Sequence, residues 1–487
     1  MTNSQPDPAL PAWIDWAAAE VLRGGPQWET AADGMAQCAC SADPDTVSEG
    51  LRGIFSGVIE KIADSFDSEG WQLYVAFFSR VIAVVRNLPA GRSINQCLIE
   101  YGLLNSEDII TRYRRVRIPR YVSRLAENHS VVVVLSRITT GADVAVTGVI
   151  LNRLRQDFPA LPLSLAGPSK SAALFAGDPA IQPLEVPYPR HGGLAERLSV
   201  WICLKNKLDA LRKQHGAQRV FVIDPDSRMT QLGLLPVCPD EHYLLFESRC
   251  FSAGGGQALG ELTNAWLQRV LGPGTAARPW LCPPAADFEL GRQVRQTFGG
   301  DKRPLICINF GVGENHLKRI PGDFEFEAIR RIVKEGWGVI LDQGSGTEES
   351  ARTNGIIGQL TAAGVPVVRW ADHDQSTPAD CSPQVLTWNG SLTDLAALAA
   401  ASDLYIGYDS AGQHLASAIG TPTITVFTGY TSPMMPVRWK PTGAGPSVLL
   451  PIGLEDRPLV ETKKRLLQQI LDEAKQILDS HGKLNRK

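Results

Sequence analysis

Short β-branched runs alternate with helical segments, and the alternation starts twice in the chain. VVVVLS at 131–136, LPLSLAG at 161–167 and RVFVID at 219–224 form the first series. LICINF (305–310), GVILDQ (338–343), VPVVRW (365–370), DLYIGYD (403–409) and TPTITVF (421–427) form the second. Continuous apolar runs of this kind suit strands buried on both faces of a parallel sheet. The intervening segments, such as VAVTGVILNRLRQDF and EFEAIRRIVKEG, carry apolar residues at helical spacing. Strand–helix alternation is the signature of a doubly wound α/β domain. The Pro-, Ala- and Gly-rich stretch 272–288 separates the two series and reads as a connection between domains.

The residues before the first strand follow another pattern. DTVSEGLRGIFSGVIEKIADSF and GWQLYVAFFSRVIAVVRNL have helical periodicity with turn clusters between them. The expected organisation is a helical domain over 1–125, an α/β domain over 126–285, and a second α/β domain over 286–487 that ends in a long amphipathic helix. At 487 residues the chain is long enough for several cores. Two parallel sheets facing each other place a cleft between their strand C-terminal ends, where such sheets bind ligands.

Composition narrows the function classes. With 44% hydrophobic and 20% charged residues the chain is globular rather than disordered. A net charge of −3 provides no basic field, so nucleic acid is not expected as a partner. The nine cysteines are scattered with no C-x-x-C pair, which fits free thiols in a reducing compartment. No secretory signal and no stretch of about 20 apolar residues is visible, so a cytoplasmic protein is expected. The arginine-rich stretch at 112, 114, 115, 117, 120 and 124 has two readings. One is a solvated helix end and linker; the other is docking to an anionic membrane surface or a phosphorylated glycolipid.

Three segments at strand ends could carry chemistry. In DLYIGYDSAGQHLASAIG, small residues follow a strand and a helix begins at once, so its first N–H groups could hold a diphosphate beside Asp409 and His414. Capping by Asp409 or Ser410 is the alternative. In INFGVGENHLKRIPGDF, a loop with Gly311 and Gly313 leads to Lys318 and Arg319, a point charge and a forked donor for phosphate oxygens. A solvated basic pair is the plainer reading. In LSRITTGADVAVTG, Asp143 lies at a Gly turn at the cleft end of the first strand. It is either a helix cap or a carboxylate able to take a proton from an acceptor hydroxyl.

Taken in order, the three segments resemble glycosyltransferase family 9, the bacterial heptosyltransferases of lipopolysaccharide core assembly. SRITTGADV stands where members have a Ser/Arg-bearing turn and Gly-Asp-Val. LICINFGVGENHLKRIPGDF stands where they have a strand, a Gly-rich loop, basic residues and Trp-Pro. Asp409-Ser-Ala-Gly-Gln-His414-Leu-Ala-Ser-Ala-Ile-Gly420-Thr-Pro422 matches their Asp-Thr-Gly-x-x-His-Leu-Ala-Ala-Ala-Leu-Gly-Thr-Pro. The resemblance runs from about residue 130 to 450.

It implies a GT-B fold of two Rossmann-like domains and inverting transfer of a sugar, typically heptose from ADP-heptose, to a hydroxyl of a lipopolysaccharide-core or related glycan. A protein acceptor, or a non-catalytic nucleotide-sugar-binding scaffold, are the other readings. By the family pattern Asp143 is the base. Lys318 with Arg319 contacts the diphosphate. Asp409, Ser410, Ala411, Gly412 and His414 hold diphosphate and sugar. Glu348, or its neighbour Glu349, binds the ribose, and Trp388 to Leu392 lie near the nucleobase. No metal or other cofactor is expected, because a helix N-terminus and Lys318 can stabilise the leaving diphosphate. Two departures stand out. The turn is Gly141-Ala142-Asp143, one residue longer than the family's, and FTGYTSP lacks the aspartate of many members' final motif. The expected location is the cytoplasm, with peripheral contact to the inner membrane.

Overall fold

A computed structural model of the protein describes residues 9–63, 65–123, 130–189, 191–251, 255–298, 300–313, 315–344, 346–370 and 384–484. It contains two parallel sheets. The first has strands β1 (Val131–Leu135), β2 (Leu163–Gly167), β3 (Ile181–Glu185), β4 (Val220–Asp224) and β5 (Tyr243–Leu245) in the order β3-β2-β1-β4-β5. The second comprises β6 (Leu305–Asn309), β7 (Gly338–Asp342), β8 (Val367–Arg369), β9 (Val385–Trp388), β10 (Leu404–Tyr408), β11 (Thr423–Phe427) and β12 (Ser447–Pro451). Its order is β12-β11-β10-β6-β7-β9-β8. Register is set by matched apolar runs: Val132 lies opposite Leu163 and Val131 opposite Val220, while Ile406 lies opposite Ile308 and Ile424.

Strand order reverses between β1 and β4 in one lobe and between β6 and β10 in the other. These are the switch points at which open α/β sheets leave a crevice. The expected α/β class and GT-B plan are therefore present. β3, β5, β9 and β12 were not expected from the sequence. β5 has only three residues and β9 four. β3 is an edge strand interrupted by Pro183, and β12 is an edge strand that is only half buried.

The helical region packs differently from an independent domain. Its core residues Trp71, Phe77, Phe78 and Ile82 are continuous with one face of the first sheet, through Val131, Val133, Leu135, Val220 and Val222. The alternate residues Val132 and Val134 face the other way, into a core that includes Tyr405, Leu415, Ala416 and Phe427 of the second lobe. Period-two alternation along β1 thus joins one sheet to both neighbours.

The described arginines of the 112–124 stretch help fasten this packing. Arg112 is buried, pairs with Asp240 at 2.8 Å and lies over the Tyr243 ring. Arg115 also pairs with Asp240, and Arg117 with Glu247 at 2.9 Å. Arg114 pairs with Glu107, and Arg120 donates to the Asp240 carbonyl. Arg112 and Arg117 are thus tied into the packing, while Arg114 and Arg115 stay largely exposed as a solvated helix end; Arg124 lies outside the described residues. Among the described residues no single helix is long and apolar enough to cross a membrane. The eight cysteines among them are free thiols.

Candidate active site

The sharpest geometry lies at the β6/β10 switch point. β10 ends at Tyr408, and Ala411–Ala418 begins a helix after two residues. Gly412 is required in its first turn: a Cβ there would come within 2.1 Å of the Tyr405 hydroxyl. The first amides of that helix point out of the end of the sheet, which favours an anion. Lys318, from a short 3-10 turn after β6, places its Nζ 2.5 Å from Asp409 Oδ2. Gln413 donates to the other carboxylate oxygen at 2.7 Å. Asp409 is thereby fixed on two sides and holds the ammonium at the mouth of the helix.

A cavity of about 310 Å³ opens beside this group. Lys318, Asp409, Ser410, Ala411 and Gly412 form one wall, and Gly390, Ser391 and Leu392 another. Asn309, Asp342 and Glu349 complete it. Glu349 accepts the amides of Val312 and Gly313, both at 2.9 Å. Asp342 is bonded by the Asn309 amide, and burial pushes its carboxyl up to about 6. Asp342 and Asn309 were missed, although a polar residue ending an otherwise apolar parallel strand is a readable signal.

Two expected donor residues face elsewhere. Glu348 pairs with Arg319 at 2.9 Å and His316 at 3.2 Å, away from the cavity lining. Arg319 is buried and does not line the cavity either. Of the two adjacent glutamates, it is Glu349 that meets the cavity, because the helix starting at Thr347 turns neighbouring side chains to different sides.

Asp143 also differs from expectation. It is fully buried and lines none of the crevice cavities described here. Ser136 Oγ (2.7 Å), Ser171 Oγ (2.8 Å), the Arg137 amide (2.7 Å) and Thr147 Oγ1 (3.0 Å) all donate to its carboxylate. Burial raises its pKa, and these donors oppose the rise. The carboxylate does not face the cleft; it ties the turn after β1 to the helices that follow β1 and β2.

The turn above it does face the cleft. Thr139, Thr140 and Gly141 meet Lys318, Asp409 and His414 across a cavity of about 350 Å³. A Cβ on Gly141 would lie 3.1 Å from His414 Cδ2, so this glycine permits close approach of the lobes. His414 is buried and edge-on to Trp439, and burial pushes its pKa down to about 4, which leaves the ring neutral at pH 7. The Asp224-Pro-Asp-Ser turn lies beneath, where Ser227 Oγ donates to the Ser136 carbonyl at 2.6 Å. Among the described residues no three His, Cys, Asp or Glu side chains converge to hold a metal ion.

Comparisons with known proteins bear on the fold and the family. Residues 378–466 match the model of glycosyltransferase family 9 (heptosyltransferase), which covers β9, β10, β11 and the Asp409 turn. No curated protein sequence matches the chain. Among solved structures, the family 9 glycosyl transferase from Veillonella parvula DSM 2008 is 14% identical. That likeness covers 73% of this chain and 99% of that one, with a TM-score of 0.53. The E. coli ADP-heptose lipopolysaccharide heptosyltransferase II (14% identity, 72% and 99% coverage, TM-score 0.46) is also similar. So is the E. coli heptosyltransferase WaaC with ADP (15%, 70% and 99%, 0.45). The Veillonella likeness is one of fold. The fold together with the matched segment defines a glycosyltransferase of two-lobed GT-B architecture. The segment match bears out the resemblance to family 9, the heptosyltransferases.

Proposed function

We propose that the protein transfers a sugar from a nucleoside-diphosphate donor, with inversion, to a hydroxyl of a glycan, and that heptose from ADP-heptose and a lipopolysaccharide-core acceptor are its specific form. The observation that carries this reading is the fixed Lys318–Asp409 pair at the mouth of the Ala411–Ala418 helix, beside a cavity of nucleotide size. As the bond from the anomeric carbon to the diphosphate breaks, negative charge grows on the phosphate oxygens. Preorganised amides and the Lys318 ammonium stabilise it, with no metal assigned to the step. Gly390 to Leu392 flank the nucleobase, and Asp342 with Glu349 receives the ribose hydroxyls. Asp143 is assigned a positioning role, since its oxygens hold the turn that carries Thr139 and Thr140 to the sugar. The protein works in the cytoplasm, at the inner membrane surface where such acceptors are built.

Thermal shift with a donor panel tests the reading. ADP-heptose is expected to raise the Tm more than UDP- or GDP-sugars, because a ligand that binds only the folded state stabilises it. A panel in which no nucleotide sugar changes the Tm would overturn it.

A further inference from the structure

The helical region also reaches the crevice. Residues Gly53–Ile59 form a π-helical turn, continued by Glu60–Ala63. One side of this segment is pressed inward. A Cβ on Gly57 would lie 2.9 Å from Ala18 Cβ, and one on Gly53 2.8 Å from Ile14 Cγ2. The opposite side carries Ser56, Glu60 and Lys61, brought together by the wide π turn. These three face Asn315, Lys318 and Thr431 of the second lobe across a cavity of about 650 Å³.

The segment is held in place at its far end. Arg249 donates to the Ala63 carbonyl, Cys250 Sγ to that of Asp67 at 3.1 Å, and Ser432 Oγ to that of Ser65 at 3.3 Å. Phe66, in the left-handed region at φ 53°, buries its ring in the core shared by the two lobes. The position of Glu60 relative to Lys318 is thus set by contacts with both lobes.

An accounting of carboxylates singles out Glu60. Asp143 is sealed. Asp409 is held by Lys318 and Gln413, Asp342 by Asn309, and Glu349 by two backbone amides. Among the described residues lining the three cavities that meet at Lys318, Glu60 is the carboxylate with no hydrogen bond or ion pair.

We propose that the cavity of about 650 Å³ is the acceptor subsite, that its ligand is a hydroxyl-rich carbohydrate, and that Glu60 takes the proton of the attacking hydroxyl. Glu60 accepts hydrogen bonds, Lys61 and Lys318 donate them, and Asn315 does both, while Leu317 and Met435 offer apolar surface to sugar C–H groups. The walls are helices and loops with no strand edge for an extended peptide to pair with. In the step, the hydroxyl oxygen bonds to the anomeric carbon. The bond from that carbon to the diphosphate oxygen breaks, and its electron pair leaves with the nucleoside diphosphate. The hydroxyl proton passes to the Glu60 carboxylate.

This proposal rests on the donor reading above, and the experiment separates the two. Full-length wild type and Glu60→Gln are compared for ADP binding by calorimetry and for transfer from ADP-heptose to a soluble lipopolysaccharide-core oligosaccharide or a Ser/Thr peptide, across pH. Glu60→Gln is expected to lower kcat about 100-fold, to remove the acidic limb of its pH profile, and to leave the ADP Kd and the Tm unchanged. Wild-type kcat in the variant, an unaltered pH profile, or transfer to the peptide alone overturns the proposal. Failure of wild type to bind ADP would instead remove the donor reading beneath it.

Discussion

Each lobe places an aspartate near the crevice end of a central parallel strand and uses it differently: Asp409 stands between β10 and the helix after it, whereas Asp143 lies within the helical turn that follows β1. Each has a central parallel strand that runs through a short turn into a helix beside the crevice. In the second lobe the turn residues are small and Asp409 stays at the surface of a cavity, holding Lys318. In the first, two serines, a threonine and a backbone amide close over Asp143. The chemical role of a carboxylate at a strand end is therefore decided by the donors that surround it, and the motif alone does not fix them.

The largest expected effect separates these roles. Asp143→Ala leaves the Arg137 amide, the Thr147 hydroxyl and one of the paired Ser136 and Ser171 hydroxyls without their acceptor in a buried site, and should cost about 3 kcal/mol in urea unfolding. Asp409→Ala should cost less, because its partner Lys318 is partly exposed and can turn its ammonium to water. Equal losses would erase the contrast. Next, Lys318→Ala should lower turnover about 100-fold, because its charge acts on the leaving diphosphate.

Titration gives the contrast a sign. His414 falls from 6.5 to about 4 in the folded state, so its contribution is fully present above pH 6.5 and is lost as pH falls through 4, to about 3 kcal/mol. Asp224, in the first lobe, rises from 3.8 to about 6 because burial disfavours its charge. Its contribution is present below pH 3.8 and is lost as pH rises through 6, again by about 3 kcal/mol. Stability curves of His414→Gln and Asp224→Asn should each lose the corresponding slope. The smallest effect is expected for Glu348→Gln, with ADP affinity changed less than about twofold, because this residue is half exposed and committed to Arg319.

The sequence was readable where structure is local. Buried strands announce themselves by β-branched runs, and the Asp409 cradle is a single contiguous strand, turn and helix. The sealing of Asp143 was not legible, because Ser171 arrives from a different strand–helix unit. Glu60 was invisible for the same reason: it lies in a helical segment that only tertiary packing brings to Lys318. The choice between Glu348 and Glu349 depended on helix phase, which a one-residue offset reverses. Edge strands escaped because they need neither continuous apolarity nor many residues.

The shared core beneath the first sheet has a consequence during synthesis. Residues 9–116 are made before the surface that completes their packing, which includes Val220, Val222, Tyr243 and Leu245. Until those strands emerge, the nascent helices carry an uncovered aromatic face around Trp71 and Phe78. A chain stalled short of residue 245 should therefore expose this face, and one stalled beyond it should lose chaperone contacts to the helices first.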